Sequence, residues 1–220
     1  MEMNPKRAGF AIDQLERITD HINRNYIEPG KIAGCQVAVS RHGALAYARN
    51  FGNADRERGK PVEDDTIFRI YSMSKPITSV ALMQLYERGY FQLNDPVSRV
   101  FPHWRDHKVW QRGADGKDEF VAPKTPMTFR HVLSHTGGLT YGSQLESLGA
   151  PAMNDPVNNA YREHKVGRNG TLTEMIDAMA KVPLRYHPGE RWLYSLSTDV
   201  CGALVEAISG KRFDKYLQEE

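Results

Sequence analysis

The chain is expected to adopt an α+β fold, with an antiparallel sheet flanked by helices begun near the amino terminus and a mostly helical region after it. Three observations carry that expectation. Two short apolar runs, Gly34–Ser40 and Ala44–Ala48, are separated by the tight sequence Arg41-His42-Gly43, which is the pattern of an antiparallel hairpin. Helical patterns recur from Ser72 onward. Strands are few for so many helices, so the sheet reads as unfinished within the 220 residues.

Each element follows in order from spacing and turn chemistry. Ile12, Leu15, Ile18 and Ile22 recur at helical spacing over residues 11–24, and Pro29-Gly30 ends that segment. The hairpin comes next, with Gly43 where a positive φ is expected. A loop rich in turn residues follows (Gly52 to Asp55, Gly59 to Pro61), and Thr66–Ile70 reads as a third extended run. From Ser72 to Tyr90 a helix is expected, apolar through Ile77, Val80, Ala81, Leu82, Met83 and Leu85. A stripe that wide predicts burial on most sides. Asn94-Asp95-Pro96 starts a short helix bearing Val97, Val100 and Phe101; residues 102–126 are polar and turn-rich, with Trp104 and Trp110 among them. Thr128 caps a helix of Phe129, Val132 and Leu133 that stops at Gly137-Gly138. Residues 139–170 read as a long loop. Thr173 caps Met175–Ala180, and Asp199 lies near the start of a helix carrying Leu204, Val205 and Ile208. Gly210 interrupts that helix before Phe213, Tyr216 and Leu217 form another apolar stripe. Three regions result: 1–75, the start of an α/β region ending on a candidate nucleophile; 76–200, mostly helical; and 201–220, a helix returning toward the α/β region.

Composition excludes several classes of function. With 40% apolar and 25% charged residues the chain is an ordinary globular protein, and a chain this long buries enough surface to need no disulfide staples. Its 29 basic and 27 acidic residues are interspersed, which leaves no electrostatic footprint for nucleic acid. Cys35 and Cys201 match no C-x-x-C or zinc spacing and read as buried free thiols in a reducing compartment. Met1 to Arg7 carry a charge cluster with no apolar run behind it, and no stretch approaches the roughly 20 apolar residues that cross a bilayer. A cytoplasmic protein away from membranes is expected.

Ser72-Met73-Ser74-Lys75 is the sharpest chemical signal. Residues i and i+3 share a helix face, so a lysine amine reaches the serine hydroxyl. A helix N-terminus favours an alkoxide and a developing oxyanion, and a desolvated lysine with a lowered pKa can take the serine proton. The bare pattern reads equally as a Ser72 cap with a solvated Lys75. A lysine is nevertheless out of place in the first turn of an apolar helix, and the extended approach Ile67–Tyr71 would display Ser72 at a strand-to-helix junction. His187 to Ser195 forms a second signal: Pro188-Gly189 is a turn, and Tyr194 can relay a proton if a cation lowers its pKa, or can simply pack. The pairs His103/His107 and His131/His135 lack the glutamate of H-E-x-x-H and read as structural or solvent histidines. No G-x-S-x-G elbow, Walker loop or G-x-G-x-x-G occurs. Trp104, Trp110, Tyr141 and Trp192 read equally as pocket lining or core.

Taken in order, Phe68 to Lys75, Leu93 to Val97, His131 to Leu139 and His187 to Ser195 resemble the serine β-lactamase-like superfamily, in particular the family VIII carboxylesterases related to class C β-lactamases and D-alanyl-D-alanine carboxypeptidases. The resemblance implies a β-lactamase/transpeptidase-like fold and hydrolysis of carboxylic esters through an acyl-serine intermediate. It makes Ser72 the nucleophile, Lys75 the base or base-tuning cation and Tyr194 the general base and acid, with Tyr141, Trp192 and Leu196 as substrate-binding candidates. The lactamase branch has Asn two residues after the tyrosine; here Leu196 stands there, which favours esters over β-lactams. β-Lactamase or carboxypeptidase-like activity and a non-catalytic ligand- or partner-binding relative are the alternatives. No metal or organic cofactor is expected. The family's third motif (K-T-G or an equivalent) does not follow Tyr194, so the sequence reads as the amino-terminal portion of a longer enzyme. A complementing carboxy-terminal segment would then be a partner beside the small-molecule ester.

Overall fold

The computed structural model describes residues 2–142, 144, 149, 153–167 and 170–220. The chain divides into two compact units, Met1–Arg69 and Ile70–Glu220. Ser72, Lys75 and Tyr194 all belong to the second, so the nucleophile candidate does not end the first region as the sequence suggested. Residues 201–220 are part of that second unit too.

In the first unit, helix α1 (Ile12–Ile22) turns Leu15, Ile18 and Ile22 to one face. That face packs with Ala44, Ala46, Tyr47 and Phe51, and the Thr19 and Tyr47 hydroxyls meet at 2.8 Å. Strand β1 (Gly34–Arg41) pairs antiparallel with β2 (Ala44–Asp55), which pairs with the short β3 (Lys60–Pro61). Arg41 stands opposite Ala44, which leaves His42 and Gly43 as the turn. Their φ angles of 53° and 69° are the two positive values that a type I′ connection needs, and its twist matches that of the strands. At the other end Gly34 faces Gly52; a Cβ on Gly34 would lie 2.6 Å from the Phe51 carbonyl oxygen, and one on Gly52 2.3 Å from that of Ala33. The expected extended run Thr66–Ile70 joins no strand. Its β-branched residues lack a neighbouring ladder to take up the backbone groups, and Ile67 is 96% exposed.

The second unit is built from helices α2 (Ser74–Glu87), α3 (Phe129–Leu133), α4 (Pro156–Glu163), α5 (Leu172–Met179), α6 (Ser197–Ser209) and α7 (Phe213–Glu219). A hairpin of β4 (Val109–Arg112) and β5 (Asp118–Val121) is added to them. Helix α6 is buried from Ser197 to Val205 except at Asp199 and packs on α2, α3, α5 and α7; Gly202 and Ala203 keep that central helix slim. Fully buried leucines such as Leu82, Leu139 and Leu204 each contribute about 1.5–3 kcal/mol by leaving water. Gly210, at φ 71°, closes α6 in the left-handed conformation that lacks a Cβ penalty. Cys201 lies in this core, its thiol pushed up to about 12 by burial; Cys35 is only half-buried.

Several expectations shift. Helix α2 begins at Ser74, after a single tight turn of Tyr71–Met73. It buries one face only, through Thr78, Ala81, Leu82 and Leu85, while Ile77 and Val80 face outward. The segment at Val97 is one tight turn. Thr128 does cap α3, its side chain accepting from the His131 N–H. The next cap is Thr171 rather than Thr173, because Glu174 stands three residues on and completes a capping box. The loop expected over 139–170 contains α4, capped by Asp155; residues 143, 145–148, 150–152 and 168–169 lie outside the described residues. Among the described residues no helix is long and apolar enough to cross a membrane.

Candidate active site

Ser72 sits on the tight turn that leads into α2, not at a strand-to-helix junction. The preceding residue, Tyr71, has φ 47°, a left-handed backbone that a bulky side chain adopts only when its surroundings fix it. One turn further on, Lys75 projects over the serine, and its ammonium donates to Ser72 Oγ at 3.3 Å and to the Tyr141 hydroxyl at 2.9 Å. The Tyr194 hydroxyl donates to Ser72 Oγ at 2.7 Å. Lys75 Nζ also lies 4.8 Å from the centroid of the Tyr194 ring and 5.6 Å from that of Tyr141. Thus Tyr141 and Tyr194, 66 and 122 residues from their partners, converge with the adjacent Ser72 and Lys75 on one oxygen and one nitrogen.

The electrostatics reverse part of the sequence reading. Burial acts to lower the pKa of Lys75, but hydrogen bonding to Tyr141 and Tyr194 outweighs it and holds the amine above its ordinary value. That direction favours the charged form of Lys75, the base-tuning cation of the two roles expected. Tyr194 moves the opposite way: the Lys75 ammonium first and the Ser72 hydroxyl second hold its phenol below the ordinary value. Burial pushes Tyr141 up. The two tyrosines thus shift in opposite directions, Tyr194 toward the phenolate and Tyr141 toward the neutral hydroxyl.

Two loops hold Tyr194 in place. The turn after α3 offers carbonyls in sequence: His135 accepts from the Leu193 N–H at 2.9 Å, Thr136 from Gly189 at 2.8 Å, and Gly138 from Arg185 at 2.7 Å. Gly138 has φ 82°, and a Cβ there would fall 2.1 Å from the Tyr186 carbonyl oxygen, so the second glycine of the run permits the close approach. Trp192 is 66% exposed and stacks beside Tyr194 with ring centroids 6.2 Å apart. Leu196 does not join the group as a substrate contact: it is 2% exposed and packs in the core at the start of α6. Trp104 is also core, donating from Nε1 to the Ile176 carbonyl at 3.1 Å.

Two neighbours were not singled out by sequence as site residues. His135, read as structural, lies with its ring 5.0 Å from that of Tyr194. Asp199, read only as a helix-start residue, faces a hollow of about 310 Å³ that Ser74, Lys75, Thr78 and Phe213 help to line; burial raises its carboxyl. Among the described residues no group of three or more His, Cys, Asp or Glu is placed to hold a metal ion.

A serine oxygen shared by a lysine and a tyrosine is the central chemical feature of the second unit, and the comparisons give the family that carries it. Residues 19–220 match the beta-lactamase family, to which the chain belongs. It is 37% identical over 212 residues to Esterase EstB of Burkholderia gladioli, covering 93% of this chain and 48% of that protein. It is 28% identical over 205 residues to the monacolin J acid methylbutanoyltransferase of Aspergillus terreus, covering 89% of this chain and 46% of that protein. Among solved structures, EstCE1, a hydrolase with promiscuous acyltransferase activity, superposes with a TM-score of 0.76 at 32% identity, over 94% of this chain and 50% of that one. The fold is therefore β-lactamase/transpeptidase-like, and an esterase and acyltransferases stand among the relatives. The chain spans about half the length of the curated relatives it matches.

Proposed function

We propose that this chain carries the nucleophilic machinery of a serine hydrolase that cleaves carboxylic esters through an acyl-serine intermediate. The observation that carries the reading is the 2.7 Å contact between the Tyr194 and Ser72 hydroxyls, with the Lys75 ammonium 3.3 Å from the same serine oxygen. Tyr194, its ionised form favoured by Lys75, takes the Ser72 proton as Oγ attacks the ester carbonyl. The tetrahedral intermediate collapses, and Tyr194 returns that proton to the departing alkoxide, so that an alcohol leaves. Water then attacks the acyl-serine; Tyr194 accepts its proton and passes one to Ser72 as the carboxylic acid departs. An alcohol in place of water completes an acyl transfer by the same steps, a second reading favoured by the acyltransferases among the relatives.

Fluorophosphonate labelling tests the proposal. Stoichiometric modification at Ser72 that Ser72→Ala abolishes is the expected result, whereas a ligand-binding relative without catalysis remains unlabelled. Turnover of p-nitrophenyl butyrate above that of nitrocefin is expected; the reverse order would replace the esterase reading by a β-lactamase one. The chain spans about half the length of its relatives, so turnover is expected with a complementing carboxy-terminal segment beside it; full turnover by these 220 residues alone would show that segment to be dispensable.

A further inference from the structure

His135 does more than pack. Of the four non-glycine residues with positive φ among the described residues, His42, Tyr71, His135 and Lys165, two flank this site: Tyr71 beside the serine and His135, at φ 56°, beside Tyr194. Such a backbone costs on the order of 1–3 kcal/mol and persists where its surroundings fix it. At His135 those surroundings are the tyrosine loop. Its carbonyl accepts from the Leu193 N–H at 2.9 Å. Its Nδ1 accepts from the Ser195 N–H at 3.3 Å and lies 3.2 Å from Ser195 Oγ, which meets Ser197 Oγ at 2.7 Å. The residue thus holds the backbone on both sides of Tyr194, while its ring stands 5.0 Å from the phenol ring and 6.2 Å, edge-on, from Trp192.

Chemistry restricts the form of the ring. An Nδ1 that accepts an amide proton carries none itself, so the clasp needs a neutral imidazole. Burial first, and the charge of Lys75 second, lower the pKa of His135 and favour that form.

We propose that His135 is a positioning residue for the catalytic tyrosine, clasping residues 193 and 195 so that the Tyr194 hydroxyl stays on Ser72. The role rests on the acyl-serine reading above, and it makes His135 act through Tyr194 rather than on the substrate. A loss from its removal should therefore fall on kcat and leave KM nearly unchanged.

The test compares His135→Gly, His135→Asn, His135→Gln and Ser72→Ala in the full chain, with p-nitrophenyl butyrate kinetics and thermal unfolding for each. Glycine accepts the left-handed backbone but removes ring and acceptor; kcat is expected to fall about 10²-fold, the scale of a displaced catalytic group. Asparagine also tolerates positive φ and places an oxygen where Nδ1 stands, so it should recover part of the loss. Glutamine carries its amide one carbon further out and should recover less than asparagine. If the glycine variant does not fold, the asparagine–glutamine difference at matched unfolding temperature decides. Wild-type kcat in a folded glycine or glutamine variant, equal kcat in the asparagine and glutamine variants, or a loss confined to KM would overturn the positioning role. A Ser72→Ala variant with wild-type turnover would overturn the acyl-serine reading and this role together; an inactive Ser72→Ala beside a fully active His135→Gly overturns the positioning role alone.

Discussion

Replacing Lys75 by methionine removes the ammonium that donates to Ser72 and Tyr141 and holds the Tyr194 phenol below its ordinary value. The phenol should then titrate nearer its unperturbed pKa of about 10. A general base works ionised, so activity rises through its pKa. The rising limb of kcat/KM should therefore move to higher pH in Lys75→Met, with turnover at neutral pH reduced. A pH–rate profile reads this directly, and an unmoved limb would deny Lys75 its tuning role. Tyr141→Phe removes one partner of the ammonium but keeps the ring; a charge-assisted hydrogen bond of about 1.5 kcal/mol corresponds to roughly a tenfold loss in kcat. At this scale Ser72 and Lys75 were readable because their chemistry is carried by residue type at short spacing, and Tyr194, 122 residues on, through the ordered segments that resemble a family. Tyr141 and His135 were ambiguous because their importance lies in contacts across 60 residues or more, and a left-handed histidine has no signature in composition.

Helix ends supply a sharper contrast between pattern and packing. Thr171→Ala breaks a capping box in which the threonine side chain accepts from the Glu174 N–H while Glu174 accepts from the Thr171 N–H at 2.7 Å. A loss of about 1 kcal/mol is expected. Thr173→Ala, exposed inside the same helix, should stay within about 0.5 kcal/mol, and urea unfolding separates the two. Thr173 stands nearer the apolar run, but the glutamate that completes the box lies three residues beyond Thr171. Asp155 caps α4 and pairs with Arg185 at 2.7 Å, the two side chains 17% and 12% exposed. Burial acts to raise its carboxyl, but the Asn158 N–H and the Arg185 guanidinium outweigh that and hold it below the usual range. A depressed folded pKa stabilises fully above the unfolded value near 3.9, and the stabilisation fades as pH falls through the lower folded value. Asp155→Asn keeps the cap and loses the charge, so its deficit in urea should be present at neutral pH and shrink in strong acid. The β4–β5 hairpin escaped the sequence reading for a different reason. Its two apolar pairs, Val109–Val121 and Trp110–Phe120, are consecutive, and the other two, Gln111–Glu119 and Arg112–Asp118, are polar, which leaves no alternating apolar stripe to recognise.

For the molecule as a whole, the outward face of α2 matters most. Ile77 is 49% exposed and Val80 61%, and with Leu217 of α7 they border an apolar groove of about 330 Å³ within the second unit. Contiguous apolar surface of this kind promotes association. Light scattering of the 220-residue chain should show self-association that grows with concentration, and Val80→Lys should suppress it. Because the side chain is largely exposed, the unfolding free energy should change by no more than about 0.5 kcal/mol. A monodisperse wild-type monomer at every concentration would show that this face is not sticky. The wide apolar stripe of residues 77–85 was legible in the sequence; which part of it is covered was not, because coverage depends on what packs there rather than on the stripe itself.

The two-residue connection at His42–Gly43 also orders events in time. It brings β1 and β2 together with almost no intervening chain, and α1 packs on them from the residues just before. Hairpins of this kind close in about 1–10 μs, and sequence-local contacts form with little loss of chain entropy. Helix α6 must instead meet α2 across a separation of more than 100 residues, and a 13-residue helix is marginal until it packs. During refolding, pulse-labelled amides of β1 and β2 should become protected from exchange before those of α6, so that a folded first unit precedes the second and waits for the site-bearing helices to assemble.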